Sequence, residues 1–136
     1  MAQLKEKVLL YNFTDDEAVN KIKSICRKMN IENQIVPFEN WNQKIGFLLG
    51  RRGFLPAKEN REDTFSFSDE VLIFAQLNDK RLDKFLSGMK LENVPMIKYK
   101  AVVTPFNIMW SLRRLCETMQ KEHGAVREGK NTTDEQ

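Results

Sequence analysis

The side chains best equipped for chemistry in this chain are two cysteines, one histidine, a few carboxylate clusters and two short polar junctions. Cys26 and Cys116 lie 90 positions apart, each on an apolar stripe with helical spacing. A zinc site or a disulfide framework needs more ligands at closer spacing, so both are expected to act as small buried hydrophobes. His123, the one histidine, follows the last apolar stripe, where a helix end favours its charge. A thiol–imidazole couple is not expected from these positions. Asp15, Asp16, Glu17 and Asp79 fall in first helical turns and read as caps and dipole partners rather than an acid–base pair. No catalytic residue, metal site or cofactor is therefore expected.

Two segments remain as binding candidates. Thr104-Pro105-Phe106-Asn107 reads as a strand-to-helix junction, with Thr104 as cap and Pro105 at the first helical position. Backbone amides at such a start attract anions, and Asn107 and Trp110, three residues apart, share a helix face. Gly46-x-x-x-Gly50-Arg51-Arg52-Gly53 is the nearest approach to a phosphate loop, although it lacks the Lys-Ser/Thr ending. Arg51 and Arg52 suit an anion through forked hydrogen bonds. Thr104, Asn107, Trp110, Arg51 and Arg52 are thus the candidate ligand- or partner-binding residues. A firm cap beside a packed Trp, and two solvated arginines, are the structural alternatives.

The elements that would position these residues follow one template written twice. Apolar runs at Val8–Phe13 and Val71–Leu77 read as strands buried on both faces. Each precedes a capping residue, Thr14 or Asn78, and these differ by 64, as do Asn40 and Thr104 at the second helix starts. Helical stripes follow at Ala18, Ile22, Ile25, Cys26 and Met29, and at Leu82, Phe85, Leu86 and Met89. Second strands are expected near Ile35–Phe38, where Pro37 favours a sheet edge, and at Ile97–Val103, where lysines alternate with apolar residues. Asn30 and Gly50 read as helix stops. The expectation is an α+β domain of two strand–helix–strand–helix halves with pseudo-twofold symmetry. Its sheet would be ferredoxin-like, in the order 4-1-3-2, with two extra helices. A doubly wound parallel α/β sheet is the alternative. The domain would span residues 1–123, with halves at 7–50 and 70–123 joined by 51–69. Phe54, Leu55, Phe65 and Phe67 would hold that connection down, with a brief strand at Phe65–Phe67. Residues 124–136 would form a disordered tail.

With 136 residues, 41% of them hydrophobic and 30% charged, the composition is that of a globular domain. The polar start and the lack of an 18-residue apolar run predict neither a secretory signal nor a membrane span, hence cytoplasmic residence. A net charge of +3 falls short of a dedicated nucleic-acid binder. Arg52-Gly53-Phe54 copies the start of an RNA-recognition motif, but Leu55-Pro56-Ala57 breaks it.

Val71-Leu-Ile-Phe-Ala75, Leu82-Asp-Lys-Phe-Leu86, Lys100-Ala-Val-Val-Thr-Pro-Phe-Asn107, Trp110 and Lys121-Glu-His123 together resemble an uncharacterised bacterial family, domain of unknown function 3783. The likeness spans Val71 to His123 and implies no activity. The expectation is a non-catalytic intracellular domain that binds a protein partner, a second copy of itself, or a small anion at a helix start. Weak nucleic-acid association through Lys98, Lys100, Arg51, Arg52, Arg113 and Arg114 is the alternative.

Overall fold

A computed structural model describes residues 5–58 and 64–129, with side chains to 123. Its elements are β1 (Lys7–Tyr11), α1 (Asp16–Met29), β2 (Glu32–Val36), α2 (Ile45–Leu48), β3 (Val71–Ala75), α3 (Asp79–Leu91), β4 (Tyr99–Val102) and α4 (Leu112–Gly129). Short 3-10 turns at Phe38–Asn42 and Asn107–Met109 precede α2 and α4. Backbone packing divides the chain into two compact units, Met1–Asn40 with Ser68–Phe106 and Trp41–Phe67 with Asn107–Gln136. The division cuts across the sequence halves: each half gives its first three elements to the first unit and its last helix to the second.

The first unit is a mixed four-stranded sheet with α1 and α3, an α+β arrangement whose strand order is β2-β1-β3-β4. β1 pairs β2 in parallel, β3 pairs β4 in parallel, and β1 meets β3 antiparallel. This corrects the expected 4-1-3-2 order, and the antiparallel centre also excludes an all-parallel doubly wound sheet. β1 and β3 are central and β2 and β4 are edges, as the apolar runs predict: β3 is buried throughout, β1 from Val8 onward, and β2 exposes Glu32 and Asn33. An edge strand carries the same polar pattern on either flank, so burial alone does not say which central strand it joins. In the structure β2 follows α1 after Asn30 and Ile31 and pairs directly with β1, as β4 pairs with β3, so each half closes as its own βαβ unit.

The two βαβ units repeat each other with small length changes. β1 and β3 are offset by 64, the helix starts Asp16 and Asp79 by 63, and the paired edge positions Glu32 and Tyr99 by 67. The first βαβ unit has one more residue between strand and helix, so Asp15 stands where Asn78 stands. Accordingly Asp15, not Thr14, caps α1, its Oδ1 accepting from the Glu17 and Ala18 amides at 3.0 and 3.4 Å. Asn78 Oδ1 accepts from the Arg81 amide at 2.8 Å, as expected. Asn12 and Gln76 both take positive φ just past their strands, and Asn30 and Asn93 both do so past their helices. Asn30 and Asn93 close matching left-handed stops, in which the Ile31 amide reaches back to the Cys26 carbonyl and the Val94 amide to that of Met89. Val8, Leu10, Ile22, Ile25, Leu72, Phe74, Phe85 and Ile97 fill the core between sheet and helices. Arg81 forks onto Glu6 at 2.6 and 2.8 Å and donates to the Met29 carbonyl at 2.7 Å, tying α3 to the end of α1.

In the second unit, the segments before α2 and α4 meet as a symmetric pair. Lys44 bridges Ser111 antiparallel, the Ile45 amide donates to the Trp110 carbonyl, and the Leu112 amide to the Gln43 carbonyl, each at 2.9 Å. Ile45 and Leu112 are 67 apart, so the equivalent of Asn40 is Asn107 and not Thr104. Neither Asn40 nor Thr104 caps a helix: Asn40 lies inside a 3-10 turn, and α4 starts seven residues beyond Pro105, where Ser111 Oγ accepts from the Arg114 amide at 3.1 Å. Gln43, expected as a reciprocal cap, instead accepts from the Ala57 amide at 2.7 Å. Residues 65–67 form no strand, although Phe67 is buried and Phe65 stacks on it at 5.6 Å. Leu55, by contrast, is exposed. α4 continues past His123 to Gly129, beyond the point where the sequence turns polar; residues 130–136 of the expected tail lie outside the described residues. Among the described residues no helix is long and apolar enough to cross a membrane.

Candidate functional site

Of the five candidate residues, Thr104 belongs to the first unit, and Asn107, Trp110, Arg51 and Arg52 to the second. Thr104 Oγ1 accepts from the Phe106 amide at 3.2 Å, forming a local turn rather than a helix start. The anion site expected there loses its basis, because the adjoining backbone enters a three-residue 3-10 turn. Asn107 opens that turn, and its carbonyl accepts from the Trp110 amide at 3.0 Å.

Trp110 gains a neighbour from the first turn of α4. The Arg114 guanidinium lies 4.3 Å from the indole centroid, within cation–π range. Ser111 sets this geometry: its hydroxyl caps α4 on the Arg114 amide, and Arg114 follows Trp110 by one helical turn. Arg114 is exposed and has no carboxylate partner among the described residues. A guanidinium stacked by one face keeps its edge of N–H donors for a ligand.

Arg113, one position earlier, is already engaged. Its guanidinium lies 5.5 Å from both the Trp41 and Phe65 rings and its Nε donates to Glu117 at 3.0 Å. Trp41 and Phe65 are themselves 5.9 Å apart.

Arg51 and Arg52 follow the end of α2. Gly50, at φ 76°, makes the left-handed stop, with its amide on the Phe47 carbonyl and that of Arg51 on the Gly46 carbonyl. Gly46 is helical, and a side chain there would overlap the Phe54 ring, so this glycine serves packing rather than a phosphate loop. Arg52 sits in the following turn and is exposed. Nearby, Lys44, Gly53, Phe54, Leu55 and Met109 line an open hollow of about 380 Å³.

Both thiols are buried. Burial pushes Cys26 up to about 11, and burial together with the Glu117 charge pushes Cys116 up to about 12. At neutral pH neither is a thiolate, the form a nucleophile requires. Among the described residues no three His, Cys, Asp or Glu side chains gather closely enough to hold a metal ion.

One feature escaped sequence reasoning. In the first unit an open groove of about 250 Å³ runs between α1 and α3, lined by Ile25, Met29, Gly88 and Leu91 with Lys28, Lys84, Ser87 and Glu92 at its banks. Leu91 and Met96 are 82% and 92% exposed, unusual for such apolar side chains. The one sequence signal was a glycine in the middle of a strong helical pattern.

Neither the curated proteins nor the solved structures give a match to this chain. Residues 70–126, which run from the start of β3 through most of α4, match the family model described as Domain of unknown function (DUF3783), the family that the residues of this half resemble.

Proposed function

We propose that this chain is a non-catalytic binding domain that takes an anionic group at the Trp110–Arg114 pair. The observation that carries the reading is Arg114 itself, exposed, stacked on an indole at 4.3 Å and without a carboxylate partner among the described residues. Stacking orders the guanidinium in advance, so less side-chain freedom is lost when it binds a carboxylate or phosphate. Two buried, protonated thiols support the non-catalytic part and fit a reducing intracellular compartment. Thr104 and Asn107 act in this reading as turn formers that place Trp110.

The test is a thermal-shift screen of inorganic phosphate, pyrophosphate, citrate and adenosine monophosphate. A ligand at 100 times its Kd raises stability by about 2.7 kcal/mol, and Arg114→Ala is expected to abolish that gain. A shift that survives Arg114→Ala, or no shift with any of the four, defeats the reading.

Nucleic-acid association has fewer cations at its disposal. Lys98 faces Asp69 at 3.9 Å, Lys100 donates to the Ile97 carbonyl at 2.8 Å, and Arg113 is held by Glu117. Arg51, Arg52 and Arg114 remain for it. Binding to single-stranded DNA that falls steeply between 50 and 200 mM salt, on the scale of about 10-fold or more, would favour it instead.

A further inference from the structure

The α1–α3 groove contains a glycine that the fold does not need. Gly88 lies in the interior of α3, and a Cβ built there would meet Ile25 Cγ2 at 3.4 Å and its Cγ1 at 3.7 Å, ordinary contact distances. Its φ is not left-handed, and the position is half-buried. Glycine in a helix interior lowers stability relative to alanine, so neither backbone geometry nor internal packing accounts for it. What glycine does provide is room for another backbone or side chain to approach closely. Its equivalent in the first βαβ unit is Ile25, which fills its own side of the seam.

The surroundings say what would approach. The lining is apolar, with Ile25 and Met29 four residues apart on α1 and Leu91 three residues beyond Gly88 on α3, where it stands 82% exposed. The banks carry two lysines and one glutamate. Lys28 is paired with Glu92 at 3.1 Å, whereas Lys84 has no ion-pair partner among the described residues. The binding charge left over is therefore positive. A second copy of this chain would bring the same lysines against it, an unfavourable match. Of the chain's own segments outside the described residues, Glu59-Asn-Arg-Glu-Asp63 and Lys130-Asn-Thr-Thr-Asp-Glu-Gln136 contain no hydrophobic residue, and Met1-Ala-Gln-Leu4, about one helical turn, offers no more than one pair of apolar anchors.

We infer that the α1–α3 groove is a docking site for an amphipathic helix of a partner protein, one whose apolar stripe is flanked by carboxylates. The apolar stripe seats on Ile25, Met29 and Leu91, the closest approach is over Gly88, and a carboxylate meets Lys84. This is the helix-in-groove mode, read by anchors three and four residues apart. It is independent of the Trp110–Arg114 reading.

The experiment titrates the isotope-labelled 136-residue chain with a capped synthetic helix. The probe carries Leu at every third or fourth position, Glu on both flanks of that stripe and Ala elsewhere; a control replaces Glu by Lys. The Glu probe is expected to shift the amide signals of Ile25, Met29, Ser87, Gly88 and Leu91, and the Lys control to bind at least tenfold more weakly. Lys84→Glu is expected to reverse that preference. Gly88→Ala is expected to raise Tm while weakening the probe at least tenfold, an opposition that a purely structural glycine would not produce. Shifts confined to other amides, equal binding of both peptides, or unchanged affinity in Gly88→Ala overturns the inference. So does a protein that doubles its mass through these same residues without peptide, or one in which decanoate shifts them at lower concentration than the Glu probe.

Discussion

Ile25 in α1 and Gly88 in α3 occupy the same place in two copies of one backbone plan: 63 residues separate them, as they separate Asp16 from Asp79 at the helix starts. The strand exits Asn12 and Gln76 agree in their positive φ, and so do the helix stops Asn30 and Asn93. The side chains around these shared turns differ widely. Backbone conformation is thus the common element, and a departure such as Gly88 points to a demand made on one unit alone.

The largest expected difference between the two βαβ units lies in what each gives to their shared core. Ile22 and Phe85 are equivalent and fully buried, but Phe85 also meets Phe74 edge-on at 5.3 Å. Phe85→Ala is expected to lose about 3–5 kcal/mol and Ile22→Ala about 2–5 kcal/mol, with about 0.5–1.5 kcal/mol of the aromatic contribution from ring geometry. Urea unfolding of both variants measures the pair; a smaller loss at Phe85 would break the comparison.

The caps come next. Asn78→Ala is expected to cost about 1 kcal/mol. Asp15→Ala should cost less at neutral pH, because Asp15 also raises the pKa of Glu70, after desolvation the second cause of that shift. Removing Asp15 relieves this repulsion while losing the cap. Equal losses at pH 7 would show that the two carboxylates do not communicate.

The strand exits should differ in the opposite sense. Gln76 bears a side chain poorly suited to positive φ, so Gln76→Gly is expected to stabilise by about 0.5–1 kcal/mol. Asn tolerates that conformation better, and Asn12 Nδ2 donates to the Asp69 carbonyl at 3.1 Å. Asn12→Gly should therefore give no gain. Chemical denaturation of the two variants, compared side by side, checks the sign.

The smallest effect is Glu70→Gln. Glu70 is raised in the folded state, so its ionisation opposes folding: the penalty is absent below the unfolded carboxylate range and develops as pH rises through the folded value. The variant is expected to gain roughly a few tenths of a kcal/mol at pH 7 and nothing at pH 4, on the scale of exposed charges. A gain at both values would assign it to something other than charge.

These comparisons also show what the residues announced and what they hid. The stripes Ala18–Met29 and Leu82–Met89 and the runs at Val8 and Val71 revealed both βαβ units, because apolar periodicity is local. The neighbours of the edge strands did not show, since polarity marks an edge without naming which side it occupies. A single 64-residue offset misplaced three of four caps, because insertions between elements leave hydrophobic patterns intact while moving every cap behind them. Trp110 was visible as a candidate, but its partner Arg114 depended on α4 starting at Leu112 instead of Pro105. The groove was least legible: it depends on the contact of Ile25 with Gly88, 63 positions away, and no local pattern encodes such a gap.

The chain has two tryptophans and two tyrosines, and they are segregated. Tyr11 and Tyr99 fall in the first unit, Trp41 and Trp110 in the second. Selective excitation at the red edge of the indole band therefore follows melting around α2 and α4 without any reporter substitution. Phenol absorbance follows the sheet in the same sample. Two coincident curves would mean that both units unfold together; two separated ones would give each its own midpoint.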